Sequence, residues 1–132
     1  MKHERFMKEA IAQAKYAQSL GEIPIGAVIV YQNTIIARGH NLRQTTQKAT
    51  MHAEIMAIEN ACEYIKSWRL EDCDLYVTVE PCPMCAGAII MSRIHDRAVR
   101  FGEQPGWPED PDEVVPHRDT LRAMMAGTFW GG

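Results

Sequence analysis

Two short stretches constrain this chain more than any other feature: Met51-His52-Ala53-Glu54 and Glu80-Pro81-Cys82-Pro83-Met84-Cys85. Together they supply one histidine, two cysteines at C-x-x-C spacing and a carboxylate two positions after the histidine. Imidazole and thiolate are the ligands zinc prefers. A structural zinc takes four protein ligands, whereas a catalytic zinc keeps a position open for water. Three protein ligands with a carboxylate close by therefore suit metal-assisted hydrolysis. Any fold for this chain must bring the two stretches together.

The segments around these stretches read as alternating helices and strands. Residues 4–20 have an amphipathic helical pattern, with Phe6, Ala10, Ala14 and Ala17 along one face, widened by Met7 and Ile11, and Gly21 as its stop. Ile25 to Tyr31 reads as a strand buried on both faces. Gln32-Asn33 turns the chain, and Thr34 to Arg38 returns as the hairpin partner. Gly39 to Thr50 is polar and loop-like. Residues 51–66 form the next helix, Leu75 to Val79 an alternating strand, residues 83–93 a helix apolar nearly all round, and Arg97 to Phe101 a short strand. A hairpin followed by this alternation implies a mixed sheet with helices against it.

Glu54 is the informative residue of the second helix. At about 100° per residue it falls on the stripe of Ile58, Ala61 and Ile65, away from Glu59, Glu63 and Lys66. A carboxylate on an apolar stripe is buried at a cost of several kcal/mol unless paired or neutralised, so Glu54 is expected to be functional. Cys82 and Cys85 sit at a helix start, with Pro83 in its first turn. The helix dipole there favours the thiolates a metal requires. A redox C-x-x-C pair would leave His52 and Glu54 unexplained. A closed structural site would need Cys62 or Cys73. Cys62 lies about 15 Å along the helix axis from His52, and Cys73 up to about 30 Å of extended chain from Cys82. Both are expected to be buried or neutral thiols.

Composition bounds the rest. At 132 residues the chain is expected to form one domain with a real core. No apolar run is long enough to span a membrane, and the N-terminal sequence does not read as a signal peptide. Reduced cysteines in the cytoplasm, with no membrane partner, are the expectation. The formal charge of −3 is unevenly placed. Residues 103–132 hold Glu103, Glu109, Asp110, Asp112, Glu113 and Asp119 against Arg118 and Arg122, together with Pro105, Pro108, Pro111 and Pro116. The rest of the chain is near neutral, so any nucleic-acid contact would need a local basic surface.

The pattern H-x-E with P-C-x-x-C is the signature of zinc-dependent nucleobase deaminases. With Glu22-Ile23-Pro24-Ile25-Gly26-Ala27-Val28 and Gly39-His40-Asn41-Leu42-Arg43 beside it, the chain from about Met7 to Gly102 resembles the bacterial tRNA-specific adenosine deaminases, of the cytidine-deaminase-like superfamily. The resemblance implies a three-layer α/β fold, with a mixed central sheet and helices on both faces. It also implies a homodimer, one zinc per chain, and conversion of adenosine to inosine at the wobble position in the tRNA anticodon arm. By position, His52, Cys82 and Cys85 would hold zinc and Glu54 would shuttle protons. Asn41 would hold the target nucleoside, and Ile23 would form an apolar wall of the base pocket. A deaminase of free guanine or cytidine, or an inactive zinc-bound RNA-binding scaffold, could carry the same centre. After Phe101 the chain departs from the family, which continues there with another strand and a basic helix. Residues 1–102 are therefore expected to form the deaminase domain. Residues 103–132 are expected to be a divergent acidic tail, helical only from Asp119 to Ala126.

Overall fold

The computed structural model describes residues 2–95 and 98–101. The acidic segment 103–132, its expected helix, and Arg97 at the start of the last expected strand lie outside them. The elements in chain order are α1 (Lys2–Ser19), β1 (Gly26–Tyr31), β2 (Thr34–His40), α2 (Arg43–Thr46), α3 (Ala53–Ile65), β3 (Cys73–Val77), α4 (Pro83–Met91) and β4 (Val99–Phe101). The strands form one sheet in the order β2-β1-β3-β4. β1 pairs antiparallel with β2 and with β3, and β3 pairs parallel with β4. The sheet is therefore mixed, with α4 in the crossover between its parallel strands.

Strand alternation divides the core into two layers. Ala27 and Ile29 of β1, with Leu75 and Val77 of β3, face Ala53, Ala57, Ile58 and Ala61 of α3 and Ala86 and Ile89 of α4. Val28, Val30 and Tyr76 point to the other face, where Phe6, Met7 and Ala10 of α1 cover them. Helices thus lie on both faces of the sheet, as the resemblance implies. Tyr76 is among the largest fully buried side chains. Its phenol is pushed up to about 12 by burial, and its hydroxyl bonds His3 Nδ1 at 2.5 Å.

Two glycines set how closely the helices approach. A Cβ at Gly26 would stand 2.1 Å from the Ala10 carbonyl oxygen of α1, and one at Gly39 would stand 2.1 Å from the Ala53 carbonyl oxygen of α3. Gly39 therefore seats the start of α3, where His52 and Glu54 are found. The hairpin turn has left-handed backbone at Gln32 and Asn33 (φ 49° and 63°), the twist a two-residue connection requires.

Most element ends differ from the sequence expectation by a residue or two; three differences have a tertiary reason. β2 runs on to His40 because β1 begins at Gly26, and the two residues pair. β3 covers Cys73–Val77 instead of Leu75 to Val79. Its register places Cys73 against Tyr31 and Val77 against Ala27, so β1 ends the ladder just past Val77, where Thr78 N–H still bonds the Gly26 carbonyl at 3.0 Å. The polar stretch from Gly39 to Thr50 contains the short helix α2, whose first turn is capped from outside by Glu22.

Candidate metal centre

The centre lies at the end of the sheet where β1 begins and β2 and β3 finish. His52 is the N-cap residue of α3, in extended conformation, and its carbonyl accepts the Met56 N–H at 3.0 Å. Cys82 is the N-cap of α4, Pro83 follows in the first turn, and Ala86 N–H bonds the Cys82 carbonyl at 2.8 Å. Proline suits that turn because its missing N–H is an orphan donor in any case. Cys85, three residues on, turns its sulfur toward the same point. Neither His52 nor Cys82 makes a side-chain cap, so both side chains face each other at the positive ends of two helices.

Cys82 Sγ stands 3.7 Å and Cys85 Sγ 3.6 Å from His52 Nδ1, and the three candidate ligand atoms lie within 4.8 Å of one another. For zinc at about 2.3 Å from sulfur and 2.0–2.1 Å from nitrogen, tetrahedral angles require a sulfur–nitrogen separation of about 3.6 Å. The residues present therefore fit a zinc ion through His52 Nδ1 and both sulfurs.

The electrostatics agree. Burial, and then the charge of Arg43, lowers the His52 imidazole and favours its neutral, ligating form. Burial pushes the Cys85 thiol far up, and the neighbouring Glu54 and Cys82 charges add to it. Burial also raises the Glu54 carboxyl, while its own backbone N–H and the Cys85 thiol pull the other way. A divalent cation compensates the negative charge that these protein groups alone penalise, and it deprotonates a coordinating thiol outright. Glu54 is 3% exposed in the first turn of α3. Its Oε1 is buried with no hydrogen-bond partner among the described residues. That placement is the one expected from the helical stripe.

Asn41 is buried beside this cluster. Its N–H bonds the Ile25 carbonyl at 3.2 Å and its Oδ1 accepts the Ala53 N–H at 3.2 Å. Ile23 is 51% exposed on the connection into β1, at the same end of the sheet. Cys62 and Cys73 stand outside the cluster. Burial raises the Cys62 thiol and pushes the Cys73 thiol up to about 11, in line with their reading as neutral thiols; Cys73 is buried and Cys62 half-buried. Sequence reasoning gave no role to Glu22, which is 5% exposed and bonds the backbone of α2. Its one sequence signal is a carboxylate directly after a helix-stopping glycine.

Comparison with known proteins agrees with this geometry. The family model described as the cytidine and deoxycytidylate deaminase zinc-binding region matches residues 1–101. A tRNA-specific adenosine deaminase of Bacillus subtilis is 57% identical over 91 residues, covering 69% of this chain and 56% of that protein. The chloroplastic tRNA(adenine(34)) deaminase of Arabidopsis thaliana is 50% identical over 92 residues, covering 70% of this chain and 7% of that protein. The chain thus spans about half the length of the bacterial relative. Among solved structures, one from a study of A-to-I editing by tRNA:A34 deaminases superposes with a TM-score of 0.73 at 40% identity, covering 80% of each chain. A guanine deaminase from Bacillus subtilis gives 0.72 at 38% identity, covering 99% of this chain and 75% of its own.

Proposed function

The chain belongs to the cytidine and deoxycytidylate deaminase zinc-binding family, and we propose that it is a zinc-dependent hydrolase converting adenosine to inosine at the wobble position of tRNA. The observation that carries the reading is a three-ligand cluster at zinc spacing beside a buried carboxylate, one of whose oxygens, Glu54 Oε1, has no hydrogen-bond partner among the described residues. The choice of tRNA is supported by relatives of that description at 50–57% identity.

In this reading His52, Cys82 and Cys85 hold the metal, which supplies Lewis acidity toward a water nucleophile. Glu54 takes a proton from that water as it adds to the purine C6 and gives it to the ring nitrogen, then takes the proton of the new C6 hydroxyl and passes it to the amino group, which leaves as ammonia as the C6 carbonyl forms. Its burial keeps water from competing for those protons. The side-chain Oδ1 of Asn41 is committed to the Ala53 N–H, so contact with the nucleoside falls to its NH2 group. Ile23 offers an apolar wall. An anticodon-loop base is already single-stranded and costs little to extrude.

The protein acts as a cytoplasmic homodimer whose interface includes α4. That helix exposes Met84 and Met91 while burying Cys85, Ala86 and Ile89, and exposed apolar surface of this kind suits a partner. RNA contact comes from the loop carrying Arg43 and Lys48. The acidic residues from Glu103 to Asp119 oppose phosphate binding and make the salt dependence shallow.

The test is ammonia release by the zinc-loaded protein from an anticodon stem-loop, free adenosine, cytidine and guanine in parallel. Inosine in the stem-loop alone supports the reading. Turnover of guanine would favour the second reading, which the superposition on a guanine deaminase supports. Stem-loop binding without any turnover would favour a scaffold.

A further inference from the structure

Glu22 is a buried carboxylate that touches none of His52, Glu54, Cys82 or Cys85, yet it ties together the two segments that flank them. Its backbone belongs to the end of α1. Gly21, with φ +80°, bonds the Gln18 carbonyl, and Glu22 N–H bonds the Ala17 carbonyl, each at 3.0 Å. These two bonds make a Schellman closure, so the side chain starts from a fixed base. The carboxylate then reaches α2, where Oε1 accepts the Gln44 N–H at 3.1 Å and Oε2 the Thr45 N–H at 2.5 Å. α2 has no cap of its own, because Leu42 at its N-cap makes no side-chain bond. Glu22 satisfies two of its orphan donors from another part of the chain.

The clamped stretch is closed at its far end beside the metal ligands. Leu42 N–H bonds the Met51 carbonyl at 3.0 Å, and Asn41 Oδ1 holds the Ala53 N–H. Arg43 opens α2, and its charge bears on both Glu22 and His52. Ile23, the next residue after Glu22, is exposed, and its carbonyl accepts the Ile25 N–H at 2.8 Å on the connection into β1. From this arrangement we infer that Glu22 is a positioning residue, fixing the spacing between Ile23 and the Asn41–Arg43 segment so that the mouth of the site is preset for a nucleotide. The inference deepens the proposed deaminase and rests on it. Because Glu22 acts on the mouth and not on the proton shuttle, its loss falls on KM and spares kcat.

The experiment compares zinc-loaded wild type, Glu22→Gln and Glu22→Ala in steady-state deamination of an anticodon stem-loop, with amide hydrogen exchange over residues 41–52. Gln keeps one accepting oxygen and turns an NH2 toward the second N–H, whereas Ala removes both acceptors. Expected are a KM raised about tenfold in Glu22→Ala, as for loss of hydrogen bonds to a charged group, and by less in Glu22→Gln. The value of kcat stays within about twofold, zinc content is unchanged, and exchange is faster at Gln44 and Thr45. Unchanged KM, or an equal fall in kcat with loss of zinc, overturns the inference. If the wild type deaminates guanine or cytidine instead of the stem-loop, the functional reading fails and KM is read on that substrate, since the mouth is the same. The exchange measurement needs no substrate, and unchanged rates at Gln44 and Thr45 in Glu22→Ala overturn the clamp by themselves.

Discussion

Asn41 Oδ1 accepts the backbone N–H of Ala53 at 3.2 Å, fastening the end of β2 to the first turn of the helix that carries His52 and Glu54. His52, the N-cap residue of α3, makes no cap with its own side chain, and Asn41 satisfies an orphan donor of that helix in its place. His52 therefore stays available to the metal because Asn41 does the capping.

Replacing Asn41 by Ala should destabilise the zinc-free protein by about 1–2 kcal/mol, the usual cost of losing a cap. Asn41→Asp, which keeps the acceptor, should recover most of it. Chemical denaturation of the three proteins checks this, and equal midpoints for wild type and Asn41→Ala would contradict it.

Gly26→Ala and Gly39→Ala should each cost about 1–3 kcal/mol, because a Cβ 2.1 Å from a helix carbonyl forces that helix outward. Their effects on metal should differ. Gly26→Ala displaces α1 and should leave zinc content intact, whereas Gly39→Ala displaces α3 beside His52 and should weaken zinc retention against a chelator. Equal retention would count against the seating of α3 by Gly39.

Cys73 is 1% exposed and its thiol is pushed up to about 11 by burial. In the native protein it should resist alkylation at pH 8, where the thiol is almost wholly protonated and shielded. Cys62→Ser should retain one zinc per chain, while Cys82→Ala or Cys85→Ala should lose it. Metal analysis decides, and zinc loss in Cys62→Ser would point to a fourth ligand.

The bonds from Thr45 and Gln44, with Arg43 nearby, hold the Glu22 carboxyl below its ordinary value against the opposing effect of desolvation, and His40 also feels its charge. A group with a depressed folded-state pKa contributes stability above its unfolded value, lost as pH falls through the folded value. The gap in melting temperature between wild type and Glu22→Gln should thus be widest near neutrality and close as the medium is acidified below the ordinary carboxylate range. A gap independent of pH would show that the charge of Glu22 is not what binds α2.

The metal cluster was legible because ligand type and spacing are local properties of sequence. Glu54 was legible because helical periodicity places it among Ile58 and Ala61. Strand ends were not, since β2 and β3 take their limits from where β1 starts. Nor was α2, whose four residues have no capping residue of their own and depend on Glu22, some twenty residues away in sequence. Interactions of that reach leave no periodic trace.

The most direct measurement is inosine formation in an anticodon stem-loop by zinc-loaded wild type and zinc-loaded Glu54→Gln, with metal content determined on the same samples. The amide preserves size and polarity but cannot carry the proton. With one zinc per chain in both proteins, turnover should fall by about 100- to 10,000-fold in the variant. A zinc-loaded Glu54→Gln protein with near-normal turnover, or a zinc-loaded wild type that forms no inosine, would contradict the account.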